Sequence, residues 1–450
     1  VLADDMGLGK TIQVLALLLH EREEGTVAGP TLLVAPTSLL TNWAREAQRF
    51  APGLRVLVHH GRERKALLDL PAVDLVVTSY GIALRDIEDL RAIHWHRLVL
   101  DEAHYVKNSS GRQASAIRTI AADRRLALTG TPVENRLLEL RGILDAVNPG
   151  VLGSEDSFRK RFSTPIEQYR DPIALSRLQL VTRPFILRRE KTDRSIIDDL
   201  PDKIEQVVPV TLTSEQAALY RARVNHLLEM LPTLSLMQRR AMVLATLTQL
   251  KQICNHPAHY LGDGSPLLRR GGHRSGKLAV LDDLVTAALD GGEQMLLFTQ
   301  FTAFGEMLLP HLAGRFGLEV PFLQGKTPRR RRDEMVAGFQ AGQTPLLMLS
   351  LRAGGTGLNL TAASQVVHID RWWNPSVENQ ATDRAYRIGQ QRVVNVHKMM
   401  AIGTVEEKID ALIQGKSELA QLAVSAGENW VTELGGDALR ELLTLDTEVP

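Results

Sequence analysis

Residues 3–11 contain two glycines, a lysine and a threonine directly before a strongly apolar helical pattern that begins at Ile12. A glycine-rich turn at the start of a helix lets backbone amides converge on phosphate oxygens, and the helix dipole favours the bound anion. Asp4 stands where the generic loop has its first glycine, and a purely structural turn is the alternative interpretation. The sequence Gly-Lys-Thr at a helix start favours a phosphate site that comprises Gly7, Gly9, Lys10 and Thr11.

A pair of acidic residues, Asp101 and Glu102, follows the apolar run 98–100. Two carboxylates at the end of an apolar strand are costly to desolvate without a cation or an ordered water. We expect Asp101 and Thr11 to hold magnesium, largely through water, and Glu102 to orient and deprotonate an attacking water. An acidic turn without function is the alternative. Because the pair accompanies a phosphate loop, the sequence predicts a site for ATP and magnesium.

Short runs rich in leucine and β-branched residues alternate with helical patterns, and these runs occur in two separate sets. Alternating strands and helices predict a doubly wound parallel sheet, so the two sets predict two such sheets, with ligands at the carboxyl ends of the strands. The intervening residues, 138–276, show mainly helical patterns. The predicted strands are residues 31–35, 74–78, 97–100 and 125–128 in the first set, and 294–298, 345–350 and 365–369 in the second.

The composition limits the class of protein. A chain of 450 residues with 44% hydrophobic residues is long enough for two or three packed units. No apolar run approaches the length of a membrane span, and the N-terminus has no signal-like core, so we expect a cytoplasmic protein without a membrane partner. The single cysteine, Cys254, excludes an internal disulfide, and we expect it to pack in a core.

The charge is unevenly distributed along the chain. The formal net charge is +1, but residues 221–280 hold nine basic residues against two acidic ones. A local basic zone matters more to a polyanion than the whole-chain charge does, although a solvated surface is the interpretation that charge alone favours. Arginines outnumber lysines 41 to 12, which suggests a GC-rich bacterial genome.

A third strand end, residues 128–132, carries the hydroxyls of Thr129 and Thr131, which could sense the γ-phosphate and relay its loss; a plain turn is the alternative. This order of elements resembles the superfamily two helicases. The resemblance implies a second lobe that supplies arginines in trans to the nucleotide of the first lobe. Arg384 and Arg387 are three residues apart, so we expect them to share one helical face, where their guanidinium groups suit a transferring phosphoryl group. An exposed, salt-bridged helix is the alternative.

Longer motifs narrow the resemblance to the Swi/Snf family. This resemblance extends over roughly residues 1–424 of the chain. It implies two RecA-like lobes with helical insertions between them, contacts of Gly357 and Gln380 with the nucleotide, and a C-terminal brace helix after Gly403 that packs on the first lobe. The implied division is residues 1–200 for the first lobe, 201–275 for the helical insertion and linker, and 276–450 for the second lobe with its brace. The motifs that carry the resemblance are residues 3–11, 101–104, 252–257, 353–360 and 370–375, and residues 185–189 also resemble a family element.

The resemblance implies a motor that hydrolyses ATP and tracks double-stranded DNA, in the nucleoid if the protein is bacterial, with a DNA-bound protein complex as a further partner. A strand-separating helicase on DNA or RNA and a scaffold that does not hydrolyse ATP are the rival hypotheses. We also expect a segment before Val1 to carry the glutamine with which the family reads adenine. Hydroxyls and amides that hold phosphates would give contacts independent of base sequence. The residues that the resemblance places on DNA are Thr37, Ser38, Thr78, Ser79, Ser350 and Asn359.

Overall fold

The computed structural model describes residues 1–446 apart from 62–71, 109–110, 131–135, 192, 194, 197–199, 352–357, 415–430 and 433. The chain divides into two compact units, Val1–Asp199 and Leu200–Pro450. Each unit contains one parallel sheet with helices, which confirms the predicted fold class of two doubly wound, RecA-like lobes. Among the described residues, no helix has the length and apolar character that a membrane span requires.

The sheet of the first unit is entirely parallel and has the strand order β2-β3-β1-β4-β5. Alternate residues of one strand enter opposite cores: Leu32 and Val34 pack in one cluster, and Leu33 and Ala35 pack in the other. Helices therefore cover both faces, which explains why the central strands are continuous apolar runs. The strands are β1 (Thr31–Ala35), β2 (Val56–His59), β3 (Leu75–Ser79), β4 (Trp95–Leu100) and β5 (Ala122–Ala127).

The helices of the first unit lie before β1, between the strands and after β5. A 3-10 turn, Thr37–Leu39, connects β1 to the next helix, and a second one, Ala103–Val106, follows β4. The helices are α1 (Lys10–Glu23), α2 (Leu40–Phe50), α3 (Tyr80–Arg85), α4 (Ile87–Arg91), α5 (Arg112–Arg118), α6 (Leu137–Val147), α7 (Glu155–Phe158), α8 (Thr164–Tyr169) and α9 (Pro172–Thr182), with a π-helical turn at Arg159–Ser163 and a 3-10 turn at Arg183–Phe185.

The second unit has a parallel sheet of order β10-β11-β9-β12-β13-β6 and a separate hairpin of β7 and β8. Here too, neighbouring residues of β9 enter opposite cores, with Leu297 in one cluster and Leu296 in the other. The strands are β6 (Lys203–Val210), β7 (Leu268–Arg269), β8 (Gly272–His273), β9 (Met295–Thr299), β10 (Phe322–Leu323), β11 (Leu346–Ser350), β12 (Gln365–His368) and β13 (Val394–Ala401).

A third core cluster of the second unit lies among its helices and contains Cys254, which is fully buried as predicted. Burial raises the pKa of the Cys254 thiol, so it remains protonated. The helices are α10 (Ser214–Met230), α11 (Leu236–Asn255), α12 (Pro257–Leu261), α13 (Gly276–Asp290), α14 (Thr302–Phe316), α15 (Arg329–Gln340), α16 (Pro375–Thr382), α17 (Val405–Gln414) and α18 (Gly436–Leu443), with a 3-10 turn at Leu231–Thr233.

Several elements differ from the sequence prediction, which had no strand at β2, at β10 or at the hairpin of β7 and β8. Strand β6 lies inside the region predicted to be helical, and it pairs with β13, which was also missed. Helix α17 is the start of the predicted C-terminal helix, and Val405 and Ile409 pack in the core of the second unit. Residues 415–424 lie outside the described residues, so packing of this helix on the first lobe stays a prediction, as does the division of the chain into three segments.

Candidate nucleotide site

The phosphate loop, residues 3–11, begins at the edge of the first sheet. Leu2 donates its N–H to the Ala127 carbonyl, and its own carbonyl accepts from the Thr129 N–H. Leu2 thereby forms a parallel bridge to Leu128 and a second one to Leu187. Because parallel strands present their carboxyl ends at one edge, the phosphate loop follows at the same edge as Asp101 and Thr129.

The turn of the phosphate loop requires its two glycines. Gly7 has φ +88° and Gly9 has φ +73°, in the left-handed region that costs glycine little. Helix α1 begins directly afterwards at Lys10, whose Nζ donates to the backbone carbonyls of Asp4 at 2.6 Å and Asp5 at 3.1 Å. The lysine ammonium is therefore held against the loop, at the start of the helix where an anion is favoured.

Asp4, which replaces the first glycine of the generic loop, is fully buried and fixes the loop to a distant segment. Its carboxylate accepts from the Arg189 backbone N–H at 3.0 Å and the Arg189 Nε at 3.1 Å, and from Gln13 Nε2 at 3.3 Å. Burial alone would raise the pKa of Asp4, but the bonds from Arg189 and Gln13 hold that pKa below its ordinary value. The substitution that makes the generic motif imperfect thus has a structural role.

The Asp101 carboxylate lies just beyond β4 and is oriented by two donors. Trp43 Nε1 donates to Oδ2 at 2.7 Å, and the Glu102 backbone N–H donates to Oδ1 at 2.9 Å. Burial, followed by the charge of Glu102, raises the pKa of Asp101 to about 7, against the lowering effects of Trp43 and Lys10. A carboxyl that is costly to ionise in the protein alone is well suited to a site where a cation stabilises the charge.

Glu102 has a backbone conformation that is uncommon for a residue with a side chain. Its φ is +49° and its ψ is 57°, and the side chain is almost completely buried. Non-glycine residues in this region are strained, and such strain concentrates at functional sites. His104 Nδ1 lies 3.3 Å from Glu102 Oε2.

These residues fit magnesium and ATP. Magnesium is usually bound in proteins by one or two carboxylates, substrate phosphates and several waters. Among the described residues, no group of three or more His, Cys, Asp or Glu could form a complete metal cage. The carboxylate of Asp101, with a phosphate loop at the same sheet edge, provides the partial set of ligands that magnesium needs when phosphates supply the rest.

The hydroxyls predicted to contact DNA in the first unit have two different environments. Thr37 and Ser38 are exposed in the 3-10 turn after β1. Thr78 is fully buried and donates to the His59 carbonyl at 2.9 Å, and Ser79 accepts from the Ile82 N–H as the cap of α3. The structure favours a packing role for the last two hydroxyls, and contact of the four residues with DNA stays a prediction.

The other predicted site residues are dispersed. Thr129 is buried and takes part in the bridge to Leu2. Ser350 is buried at the end of β11, Asn359 is exposed, and Gln380 lies in α16. Thr131 and Gly357 lie outside the described residues.

The prediction that Arg384 and Arg387 share one face of a helix is wrong. Helix α16 ends at Thr382, and both arginines lie in the turns that follow it. The Arg384 carbonyl accepts from the Leu360 N–H at 2.9 Å, so it bonds to another segment instead of continuing the helix. Arg387 Nη1 approaches the Leu358 carbonyl at 3.4 Å. The catalytic role of both arginines stays a prediction.

Sequence reasoning missed three contributors to this site: Trp43, Tyr80 and Arg189 as the partner of Asp4. Trp43 and Tyr80 occur in apolar patterns that are typical of core residues, and both are in fact buried in core clusters. Their polar atoms carry the additional function, and no spacing in the sequence reveals it. Only the resemblance of residues 185–189 to a family element gave a signal for Arg189.

With the geometry established, comparison with known proteins identifies the class. The family model described as "SNF2-related domain" matches residues 1–259, and the one described as "Helicase conserved C-terminal domain" matches residues 276–389. The first match covers more than half of the chain. The chain therefore belongs to the SNF2-related family.

Individual relatives agree with this assignment. The chain is 48% identical over 448 residues to the "Putative ATP-dependent helicase/translocase YwqA" of Bacillus subtilis (strain 168), covering 99% of this chain and 48% of the relative. It is 36% identical to the human "SWI/SNF-related matrix-associated actin-dependent regulator of chromatin subfamily A member 1", covering 95% and 42%. The chain thus spans about half the length of the curated relatives it matches.

A solved structure is similar over the whole chain. The "Sulfolobus solfataricus SWI2/SNF2 ATPase core in complex with dsDNA" has a TM-score of 0.50 and 41% identity, and the match covers 99% of this chain and 92% of that one. At this level of sequence identity the two proteins share sequence as well as fold.

Proposed function

We propose that this chain is the motor of an ATP-dependent translocase that moves along double-stranded DNA. The observation that carries the proposal is the convergence at one sheet edge of the phosphate loop and the acid pair of Asp101 and Glu102. The name of the bacterial relative, and the duplex in the complex of the similar ATPase core, support the choice of double-stranded DNA. We further propose a cytoplasmic, nucleoid-associated location and a DNA-bound protein complex as a partner.

Each residue of the candidate site in the first unit has its own proposed role in hydrolysis. The backbone at Gly7 and Gly9, together with Lys10, binds the phosphates, and Asp101 and Thr11 would hold magnesium. Magnesium, when bound, would neutralise charge on the phosphates. Glu102 accepts the proton of the water that attacks the γ-phosphorus, while the bond to the bridging oxygen breaks and ADP leaves.

Two arginines of the second unit are proposed to act on the same nucleotide. Arg384 and Arg387 are proposed to stabilise charge on the transferring phosphoryl group, as planar guanidinium groups can do. Thr129 and Thr131 are proposed to couple the loss of the γ-phosphate to the surface that holds DNA, and Gly357 and Gln380 to contact the nucleotide.

The experiment pairs displacement of a third strand from a triplex with unwinding of a forked duplex. We expect the third strand to be displaced in the presence of ATP while the fork stays paired. Separating base pairs costs on average about 1.4 kcal/mol per step, which a motor that grips both strands through their phosphates avoids. Efficient fork opening without triplex displacement would favour the strand-separating helicase, and absence of ATP turnover would favour the scaffold.

A further inference from the structure

Two aromatic side chains donate hydrogen bonds to Asp101 from opposite faces of the first sheet. Trp43 Nε1 donates to the Asp101 carboxylate at 2.7 Å, and the Tyr80 hydroxyl donates to the Asp101 backbone carbonyl at 2.8 Å. Both are almost completely buried, Trp43 in one core cluster and Tyr80 in the other. The side chain and the main chain of Asp101 are therefore each held by one aromatic residue.

Trp43 follows the exposed pair Thr37 and Ser38, where DNA contact is predicted, whereas Tyr80 follows the buried pair Thr78 and Ser79. Trp43 lies in α2, five residues after Ser38, and α2 continues directly from the turn Thr37–Leu39. Tyr80 is the first residue of α3 and directly follows Ser79 at the end of β3. Each segment is thus connected to Asp101 by a few residues of chain and one hydrogen bond.

Tyr80 also adjoins the surroundings of the catalytic glutamate. Its ring stacks on that of Tyr105, with centroids 5.1 Å apart and planes inclined by 8°. The Tyr105 ring contacts the His104 imidazole, which lies 3.3 Å from the Glu102 carboxylate. A displacement of Tyr80 would therefore reach both acidic residues.

Ordinary core packing does not require this arrangement. A buried indole N–H needs an acceptor, and a backbone carbonyl is sufficient: Trp95 Nε1 donates to the Leu90 carbonyl at 2.7 Å. Trp43 instead donates to a buried carboxylate that offers about four acceptor positions, of which the indole and the Glu102 N–H use two. Such outer partners fix the direction in which a carboxylate presents its remaining lone pairs to a metal or its water.

We propose that Trp43 is a positioning residue that makes the orientation of Asp101 depend on DNA contact at residues 37–38, while Tyr80 holds the main chain of Asp101 without contact to DNA. This inference rests on the proposed function. A phosphate that shifts residues 37–38 moves the Trp43 side chain, and with it the carboxylate that would hold the metal. By thermodynamic linkage, DNA then changes metal–nucleotide affinity, and the metal–nucleotide complex changes DNA affinity by the same factor.

The test uses Trp43→Phe and Tyr80→Phe, each of which removes one donor and keeps most of the ring packing. Trp95→Phe is the control for the indole, because it removes a bond of the same length from an equally buried side chain at the far end of β4. Tyr220→Phe is the control for Tyr80→Phe. It removes a buried hydroxyl of the second unit, which accepts from the Val405 N–H at 2.9 Å. Mn²⁺ with ADP is the probe, titrated by electron paramagnetic resonance with and without a short duplex.

We expect Trp43→Phe to weaken Mn²⁺–ADP binding about 10-fold, the usual lower range for loss of an outer partner. In Trp43→Phe the ratio of affinities with and without duplex should move toward one, while Tyr80→Phe and both controls keep the wild-type ratio. A Trp43→Phe variant that keeps that ratio, or controls that lose it equally, would overturn the inference. Duplex-stimulated ATP turnover of the wild-type chain is measured alongside. A wild type that does not respond contradicts the proposed function, whereas a responsive wild type with a fully coupled Trp43→Phe variant contradicts only the positioning role.

Discussion

The guanidinium of Arg189 and the carboxylate of Asp4 form an ion pair in which Nη2 lies 2.5 Å from Oδ2. The pair joins the phosphate loop to a residue 185 positions later in the chain. Asp4 is fully buried, whereas about one third of the Arg189 side chain is exposed. Loss of the arginine would leave a buried carboxylate with only the bond from Gln13 among its described side-chain partners.

Arg189→Ala should therefore destabilise the first unit by about 2 to 3 kcal/mol, because a buried charged acceptor loses its main donor. The adjacent Arg188→Ala is the control: its side chain is 45% exposed, and its guanidinium lies 3.6 Å from the exposed Glu190 carboxylate and 3.9 Å from that of Asp5. An exposed pair of this kind contributes less than about 1 kcal/mol. Chemical denaturation of both variants measures the difference, and equal losses would show that the buried pair has no special weight.

Asp101→Asn should affect the stability of the protein without nucleotide more favourably at pH 8 than at pH 5. The pKa of Asp101 is raised to about 7 by burial, so the folded state binds a proton that the unfolded chain releases near pH 4. Stability from this residue is complete below pH 4 and is lost as the pH rises to 7. We expect the effect of Asn to be about 2 to 3 kcal/mol more favourable at pH 8, with ATP turnover abolished. Denaturation curves of both proteins at the two pH values measure this difference. A change in the free energy of unfolding that is independent of pH would exclude a raised pKa of Asp101.

The sequence predicted those elements that depend on residues close together in the chain. Strand β1 was predicted at 31–35 and has those bounds, because it is a short apolar run buried on both faces. Strand β6 was missed, because most of its residues are exposed or half-buried and no apolar run marks it. Its pairing with β13 is set by contacts such as Gln206 with His397, 191 positions apart. Such contacts leave no pattern in a single stretch of sequence.

The same limit applies to the candidate site. The phosphate loop and the acid pair follow from residue type and spacing, so the sequence identified them. The end of α16 at Thr382 did not follow, because the Arg384 carbonyl bonds to the Leu360 N–H from another segment. Trp43 has the appearance of a core residue in sequence, and its bond to Asp101 depends on the register of α2 against the sheet.

Lys10→Ala should abolish ATP turnover with little loss of stability, because the ammonium binds loop carbonyls, is proposed to bind the phosphates and does not belong to the apolar core. Glu102→Gln should still bind ATP but hydrolyse it about 10²-fold more slowly, as loss of a general base does. Lys326→Ala, which affects an exposed pair with Glu306, is the control and should behave as wild type. Steady-state turnover and binding of labelled ATP separate the two effects, and unaltered turnover in Glu102→Gln would remove that residue from catalysis.

Arg387→Ala should lower ATP turnover by about 10³-fold and leave duplex binding without nucleotide nearly unchanged, since the guanidinium is expected to meet charge that develops in the transition state. Arg392→Ala is the control, because Arg392 is an exposed arginine that lies five residues after Arg387 in the chain. Turnover and fluorescence anisotropy of labelled duplex are measured on both variants. A loss confined to duplex affinity would assign Arg387 to the DNA surface.

Binding of duplex DNA should depend strongly on salt and little on base sequence. Hydroxyls, amides and basic side chains can contact phosphates without reading bases, and each neutralised phosphate steepens the salt dependence. The structure separates the predicted contacts, because Thr37 and Ser38 are exposed whereas Thr78 is buried with its hydroxyl bonded to His59. The double variant Thr37→Ala with Ser38→Ala should therefore weaken duplex binding.

The matched variant Thr78→Val should leave duplex affinity unchanged and lower the free energy of unfolding by about 1 kcal/mol or more, because the His59 carbonyl loses a buried donor. Anisotropy titrations of two unrelated duplex sequences at several salt concentrations provide the affinities, and denaturation provides the stability. If Thr78→Val reduces affinity as much as the double variant does at equal stability, the end of β3 contacts DNA directly and the packing role is wrong. A flat salt dependence, or a sharp preference for one of the two sequences, would contradict binding through phosphates.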